Sequence, residues 1–372
     1  MRKKKLLFII NTLAGGGAEK VLVDLLNQMN PSKYEIDLLA VEDGVHAENL
    51  SKEIHYRCLL KKKNGICNRL LKKLVYHLPY GLFSKWFIGK TYDCEIAFLE
   101  GFPTRIVGSR SKAQKRVAVV HCNLSYDMIK GLYKTREDVY NEYLGFDHVV
   151  FVSESAKEVF EKEIGKLPNA IILRNAMNVP HIQELSMQKC PMRYATTGLK
   201  LISIGRLETV KGFDRLCDIV ARMEKKYAFE LWILGEGSQA KNLENRIQEQ
   251  NIQSIKLLGY QNNPYAFLKQ ADLYVCASYA EGYSTVVKES LLCGTPVLTT
   301  DCGGMAEIVT SGENGYIVGN REEDLEAGLE KILSNDAFLA MLRVGALQYA
   351  EGCEWRQDIE AYEKLLGGEE NV

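Results

Sequence analysis

Residues 200–226 read KLISIGRLETVKGFDRLCDIVARMEKK. A short apolar run, Lys200–Ile204, reads as a buried strand, and Gly212–Lys226 reads as a helix. Between them lies a loop holding Gly205, Arg206, Lys211 and Gly212. Strand, loop and helix in this order form the unit of a parallel sheet, because a parallel neighbour is reached only through a crossover. Open α/β sheets bind ligands at the carboxyl ends of their strands, where this loop would lie. Arg206 can fork onto two phosphate oxygens and Lys211 adds a compact point charge, so the pair suits a diphosphate. Read alone, it is also consistent with two solvated loop charges.

The same alternation runs outward in both directions. Upstream, Lys5–Ile10 and Tyr34–Val41 read as strands around a helix at Ala18–Met29, and further strands are expected at Asp93–Leu99, Arg116–His121, His148–Ser153 and Ala170–Arg174. Downstream, strands are expected at Glu230–Leu234, Ser254–Leu258, Asp272–Ala277 and Pro296–Thr299, with helices between them. Residues 181–198 show no clear periodicity and read as a linker. The expectation is an α/β chain of two domains, residues 1–180 and 199–350, each a parallel sheet covered by helices. Its 372 residues agree with two domains of ordinary size.

Composition narrows the class. Hydrophobic residues make up 46% and charged residues 26%, as in a globular chain with a real core. No apolar run approaches the roughly 20 residues that cross a bilayer. The basic start Met1–Lys5 leads into only five apolar residues, so a first strand is the reading, not a signal peptide. Ten cysteines are scattered without a Cys-x-x-Cys pair, which suits reduced thiols and a cytoplasmic location. Charge is uneven: residues 1–180 hold 28 Lys and Arg against 20 Asp and Glu, and the remainder holds 19 against 28. The N-terminal half is therefore expected to meet something anionic.

Three further stretches carry chemistry. Gly15-Gly16-Gly17-Ala18-Glu19 follows the first strand and opens a helix, where bare backbone amides favour anions. It lacks the G-x-G-x-x-G dinucleotide spacing, and no P-loop occurs in the chain. Glu281-Gly282-Tyr283-Ser284-Thr285 leads into a helix bearing Glu289. Its amides can face phosphate, while its two carboxylates suit sugar and ribose hydroxyls. Thr299–Glu307 reads as a mostly structural turn beside them.

Taken together these stretches resemble glycosyltransferase family 4, retaining nucleotide-sugar enzymes with the GT-B fold. The resemblance spans nearly the whole chain. It rests on Gly15–Glu19, Asn175, Gly205-Arg206 with Lys211-Gly212, Gly235-Glu-Gly237, Gly259-Tyr260, and Glu281-Gly282 with Glu289. Gly294-Thr-Pro296, Gly303-Gly304 with Glu307, and Asn314-Gly315 continue it. It is closest in look to bacterial enzymes of capsular, exopolysaccharide or cell-wall glycans. The resemblance implies two Rossmann-like domains facing a central cleft, with a C-terminal helix of about 355–368 returning to the N-terminal domain. It implies Arg206 and Lys211 on the donor diphosphate, Glu289 on the ribose, and Glu281 on the transferred sugar. Gly282, Tyr283 and the amides of Ser284 and Thr285 would surround the distal phosphate, and Gly235, Gly237 and Tyr260 would border the base. Gly16 and Gly17 would close over the diphosphate or acceptor, and His121 would lie near the donor sugar. Tyr283-Ser284-Thr285 replaces a commoner Phe-Gly or Phe-Pro variant, which leaves donor identity open.

Catalysis would then consist in stabilising a departing nucleoside diphosphate, with that phosphate taking the acceptor's proton. No Asp-x-Asp occurs, so no cofactor and no essential metal are expected, the nucleotide-sugar being a substrate. The acceptor would be a glycan or lipid-linked saccharide. Residues 57–90 carry Arg57, Lys61, Lys62, Lys63, Arg69, Lys72, Lys73, Lys85 and Lys90 among Leu59, Leu60, Ile66, Leu70, Leu71, Leu74, Trp86 and Phe87. They could form a basic amphipathic surface resting on anionic lipid, or a solvated face. Nucleic acid is not expected, because the aromatics are not spaced as stacking platforms. A nucleotide-sugar epimerase and a non-catalytic partner subunit of the same architecture stay open.

Overall fold

The computed structural model describes residues 2–61, 66–109, 115–195 and 197–367, with the side chains of 66–71 outside the described set. It divides into two compact units, residues 1–178 with 354–372, and residues 179–353.

The first unit is built on a seven-stranded sheet. Its strands are β1 (Lys4–Thr12), β2 (Tyr34–Glu42), β3 (Ile54–Leu60), β4 (Cys94–Ala97), β5 (Arg116–Val120), β6 (His148–Phe151) and β7 (Ala170–Ile172). The order is β3-β2-β1-β4-β5-β6-β7 and every ladder is parallel. Leu6–Ile10 of β1 are buried throughout, which is why this strand reads as an unbroken apolar run. The last helix, Trp355–Gly367, belongs to this unit. Its Ile359, Tyr362, Leu365 and Leu366 are buried. Three polar ties hold it: the Asn30 N–H donates to Glu363 Oε1 (2.8 Å), the Tyr34 hydroxyl to the Glu363 carbonyl (3.0 Å) and Lys115 to the Leu365 carbonyl (2.6 Å).

The second unit carries a six-stranded parallel sheet. Its strands are β8 (Leu199–Ile204), β9 (Phe229–Leu234), β10 (Ile255–Gly259), β11 (Leu273–Cys276), β12 (Val297–Thr300) and β13 (Gly315–Val318). The order is β10-β9-β8-β11-β12-β13, so chain direction across the sheet reverses between β8 and β11. The helix Phe213–Met223 packs Phe213, Leu216, Cys217, Ile219, Val220 and Met223 into the core on one side.

Two sequence expectations are corrected. Residues 181–198 are not a free linker. A helix, Val179–Ser186, runs into the start of this stretch with Val179 and Ile182 buried, and Tyr194 stacks on Trp232 at 3.6 Å. Two apolar anchors in eight residues give too short a pattern to read, and Pro180 in the first turn looks like a break although that turn tolerates it. Residues 57–90 are also not one amphipathic face. Arg57–Leu60 end an edge strand, Ile66–His77 is a helix, Tyr80–Phe83 a further turn, and Ser84–Ile88 a π-turn. Leu60 is buried in the core and Phe87 packs against it. Strand β3 escaped notice because only Ile54 and Leu60 along it are buried. Lys62, Lys63 and the side chains of Ile66, Arg69, Leu70 and Leu71 lie outside the described residues.

Candidate active site

In the second unit the loops after β8 and β11 leave neighbouring strands on either side of the reversal. That is the crevice where open parallel sheets receive ligands. Gly212 has φ +64°, and a Cβ built on it would stand 1.9 Å from the Ala277 carbonyl oxygen. Only glycine fits, and its absence of side chain lets the β8 loop lie directly on the β11 loop. Gly235, with φ +137°, closes equally tightly on the Gly205 carbonyl at 1.9 Å. A Cβ on Gly237 would be 2.4 Å from the Leu207 carbonyl oxygen, and Leu207 in turn donates its N–H to the Glu236 carbonyl at 2.9 Å. These approaches stack three loops at one sheet edge.

Charge is placed unevenly on that edge. Lys211 Nζ lies 2.6 Å from Glu281 Oε1, and the Ser278 hydroxyl donates to the same oxygen at 2.6 Å. Arg206 is exposed, and among the described residues its guanidinium donates no hydrogen bond. The helix Thr285–Leu292 starts at Ser284, with no side-chain cap and no acidic residue in its first turn. Its leading amides therefore lack intrahelical partners and present a positive helix end. Gly282, Tyr283, Ser284 and Thr285 are buried around that end, and the Gly282 carbonyl accepts the Gly304 N–H at 3.0 Å. Glu289, one turn further, is only 4% exposed, and the Tyr265 hydroxyl donates to its Oε1 at 3.3 Å. Tyr260 follows β10 and is 45% exposed. Chemically, such cations and uncapped amides suit a diphosphate, and the Glu281 and Glu289 carboxylates are acceptors for hydroxyl donors.

The remaining predicted residues belong to the first unit. Gly16 and Gly17 start the helix Gly17–Gln28, again without a side-chain cap. The Glu19 carboxylate folds back over them: a Cβ on Gly16 would meet Glu19 Oε2 at 2.0 Å. His121 directly follows β5, with its ring against Phe98 at 4.7 Å. Burial pushes its pKa down to about 3, so the ring is neutral at physiological pH, and Nε2 is buried without a partner. The unfolded chain takes up a proton near pH 6.5 whereas the fold resists until about 3. Between those values the unfolded state binds more protons, so His121 costs stability as pH falls through that window. His121→Gln should remove this. Relative to the variant, wild type should lose about 2 kcal/mol between pH 6.5 and 5, read from urea melts, at 1.36 kcal/mol per unit. Parallel pH dependence in the two proteins would contradict a buried neutral ring.

Sequence reasoning missed Arg215, Ser278 and Tyr265. Arg215 was findable, since it is a charge flanked by Phe213 and Leu216 on the buried side of its helix. It donates to the carbonyls of Ala277 (2.9 Å), Ser278 (2.8 Å) and Asn320 (2.8 Å), and to Asn320 Oδ1 (2.9 Å). It thereby ties down the loop that leads to Glu281. At the opposite, amino-terminal end of the first sheet, a depression is lined by Lys5, Asp37, Lys90 and Tyr92. Its Asp37 is already engaged by Tyr92 (2.6 Å), Lys90 (3.3 Å) and His55 (3.2 Å).

The sequence model of the family described as Glycosyl transferases group 1 matches residues 193–348, the second unit almost entire. Over 353 residues the chain is 27% identical to the N-acetylgalactosamine-N,N'-diacetylbacillosaminyl-diphospho-undecaprenol 4-alpha-N-acetylgalactosaminyltransferase of Campylobacter jejuni, covering 90% of this chain and 91% of that one. Over 169 residues it is 30% identical to the lipopolysaccharide core biosynthesis glycosyltransferase LpsE of Rhizobium meliloti, covering 45% and 49%. Among solved structures, Anabaena HepE in complex with UDP and glucose superposes with a TM-score of 0.75 at 18% identity, covering 98% of this chain and all of that one. WaaG, a glycosyltransferase involved in lipopolysaccharide biosynthesis, superposes with a TM-score of 0.72 at 15% identity, covering 98% and 100%. The two parallel sheets are those of the GT-B α/β fold.

Proposed function

We propose that this chain, a glycosyltransferase of the GT-B fold, moves a hexose or N-acetylhexosamine from a UDP-sugar onto a glycan or lipid-linked saccharide of the cell surface, with retention at the anomeric carbon. The observation that carries this is the Lys211–Glu281–Ser278 network beside the uncapped helix bearing buried Glu289. It joins a diphosphate-binding end to hydroxyl-accepting carboxylates within one sheet edge. The relatives support the acceptor class: one is named for transfer onto a diphospho-undecaprenol saccharide, another for lipopolysaccharide core synthesis.

In this reading Arg206 and Lys211 neutralise the departing diphosphate, and the amides at Ser284 and Thr285 meet its distal phosphate. No metal of the protein's own is needed for that charge. The leaving phosphate takes the acceptor's proton as the new bond forms. Glu281 holds hydroxyls of the transferred sugar, and Glu289 holds the ribose. Leu74, Leu82 and Trp86 are exposed near Lys72, Lys73, Lys85 and Lys90, which supports contact with an anionic membrane surface. Among the described residues no helix is long and apolar enough to cross a membrane.

The test is thermal stabilisation by UDP, GDP, ADP, their common sugar conjugates and NAD. A ligand at about 100 times its Kd that binds only the folded chain adds about 2.7 kcal/mol. UDP and one or more UDP-sugars should raise the melting temperature, and Glu289→Ala should abolish the shift. Stabilisation by NAD alone, or a shift that Glu289→Ala leaves intact, would overturn the reading.

A further inference from the structure

Four buried side-chain atoms without a hydrogen-bond partner line the carboxyl edge of the first sheet. They are Asn11 Oδ1 near the end of β1, His121 Nε2 and Asn123 Oδ1 after β5, and Asn175 Oδ1 after β7. Each such atom costs folding free energy if nothing ever binds it. Folded chains keep few of them, so four along one edge mark a surface that completes its hydrogen bonds with a ligand.

Strand β4 runs between β1 and β5, and it delivers Glu100 to the same edge. The His121 N–H donates to Glu100 Oε2 at 3.1 Å. That backbone donor fixes one oxygen of the carboxylate. The adjoining Cys122 thiol is pushed up, first by burial and then by the nearby Glu100 charge. Gly101, with φ +85°, turns the chain immediately after it into the helix Phe102–Gly108. Among the described residues no cation pairs with Glu100.

The chemistry of this set selects its ligand. An unneutralised carboxylate repels phosphate, so this edge is unsuited to a diphosphate, for which the proposed function uses Arg206, Lys211 and the amides at Ser284 and Thr285 of the other unit. Amide oxygens, a neutral imidazole nitrogen and a carboxylate all accept from hydroxyls. A neutral, polyhydroxylated ring satisfies every one of them.

We propose that Glu100, with Asn11 and Asn123, binds hydroxyls of the acceptor sugar and sets which sugar is accepted. This rests on the transferase reading above. Glu100 is a binding residue here, and its fixed, part-buried carboxylate disfavours acceptors lacking the matching hydroxyl, because one of its oxygens is then left without a donor.

The experiment uses the full chain, the UDP-sugar that stabilises it, and the octyl glycosides of N-acetylgalactosamine, N-acetylglucosamine, galactose and glucose as acceptor probes. UDP release is measured with and without each glycoside. At least one glycoside should accelerate release. Glu100→Gln and Asn123→Ala should each lower kcat/KM for that glycoside by about 10- to 100-fold, the range expected for losing a hydrogen bond to a charged or buried group. The KM for donor and the acceptor-free release should stay within about twofold. Where Glu100→Gln does not fold, Glu100→Asp keeps the charge and shortens its reach, and the same loss is expected. Equal losses with and without glycoside, an unchanged acceptor KM, or no acceleration by any glycoside would each overturn the assignment. Absence of UDP release under every condition is a different result, and it removes the transferase reading itself.

Discussion

Lys211→Ala should lower kcat by about 10³-fold while moving the melting temperature little. Removing one preorganised donor to a developing anion costs about 10²–10³ in kcat. Here a second effect adds to it. Lys211 lies 2.6 Å from Glu281 Oε1, and without the lysine that carboxylate keeps only the Ser278 hydroxyl. An uncompensated negative charge would then face the diphosphate in a loop whose shape Gly212 fixes. The stability effect is small because Lys211 is part-exposed, and exposed or half-exposed pairs contribute about 0–1 kcal/mol. Lys211→Arg should recover only part of the rate, since a planar fork does not replace a point charge at that spacing. The informative variant is Lys211→Ala with Glu281→Gln. If repulsion contributes, donor KM improves relative to Lys211→Ala even though kcat stays low. Steady-state UDP release resolves both numbers. A loss below about tenfold for Lys211→Ala would mean that Arg206 and the helix amides suffice, and would remove Lys211 from the machinery.

The sequence placed the loops of the candidate site, while some smaller elements of the scaffold escaped it. Gly205, Arg206, Lys211, Gly235 and Glu281 all lie in loops after carboxyl ends of strands in one sheet, and Glu289 lies in the helix that follows, as strand–loop–helix units dictate. Their spacing is legible because a turn from strand to helix fixes each loop over a few residues. What escaped was of another kind. Strand β3 has only two buried residues, so it shows no period, and the short helix Val179–Ser186 has too few anchors. The ion pair between Lys211 and Glu281 joins positions 70 residues apart, which no local pattern displays. Glu100 and Asn11 were invisible for the same reason: they matter only once β1, β4 and β5 lie side by side. The fold-back of Glu19 onto Gly16 was likewise hidden, although both residues belonged to the motif that was read.

Arg215→Met should destabilise the second unit by about 3–5 kcal/mol and lower activity with it. The guanidinium is 2% exposed and donates four hydrogen bonds, three of them to backbone carbonyls of Ala277, Ser278 and Asn320. It also stacks over the Tyr279 ring with 4.0 Å from Cζ to the ring centre. Methionine fills a similar volume but leaves those carbonyls unpaired in a dry site, at about 1–3 kcal/mol each with incomplete additivity. The expected fall in melting temperature is roughly 10 °C, at about 2–4 °C per kcal/mol for a unit of this size. Arg222 supplies the control. It makes two ion pairs, with Glu322 (2.8 Å) and Glu326 (2.6 Å), yet is 43% exposed. Arg222→Met should therefore cost at most about 1 kcal/mol. Geometry alone would rank the two arginines together, and burial separates them. Arg215→Lys should recover less than half of the loss, because one ammonium cannot span Ala277, Ser278 and Asn320 at once. The catalytic consequence follows from position. Ala277 and Ser278 begin the loop that ends in Glu281, so releasing them lets the Glu281 carboxylate drift from Lys211. Below the lowered melting temperature, Arg215→Met should thus show reduced kcat together with a raised donor KM. Equal melting temperatures for Arg215→Met and Arg222→Met would mean that the loop is held by its other contacts, Gly212 on Ala277 and the Thr300 hydroxyl on the Ser278 carbonyl at 2.7 Å.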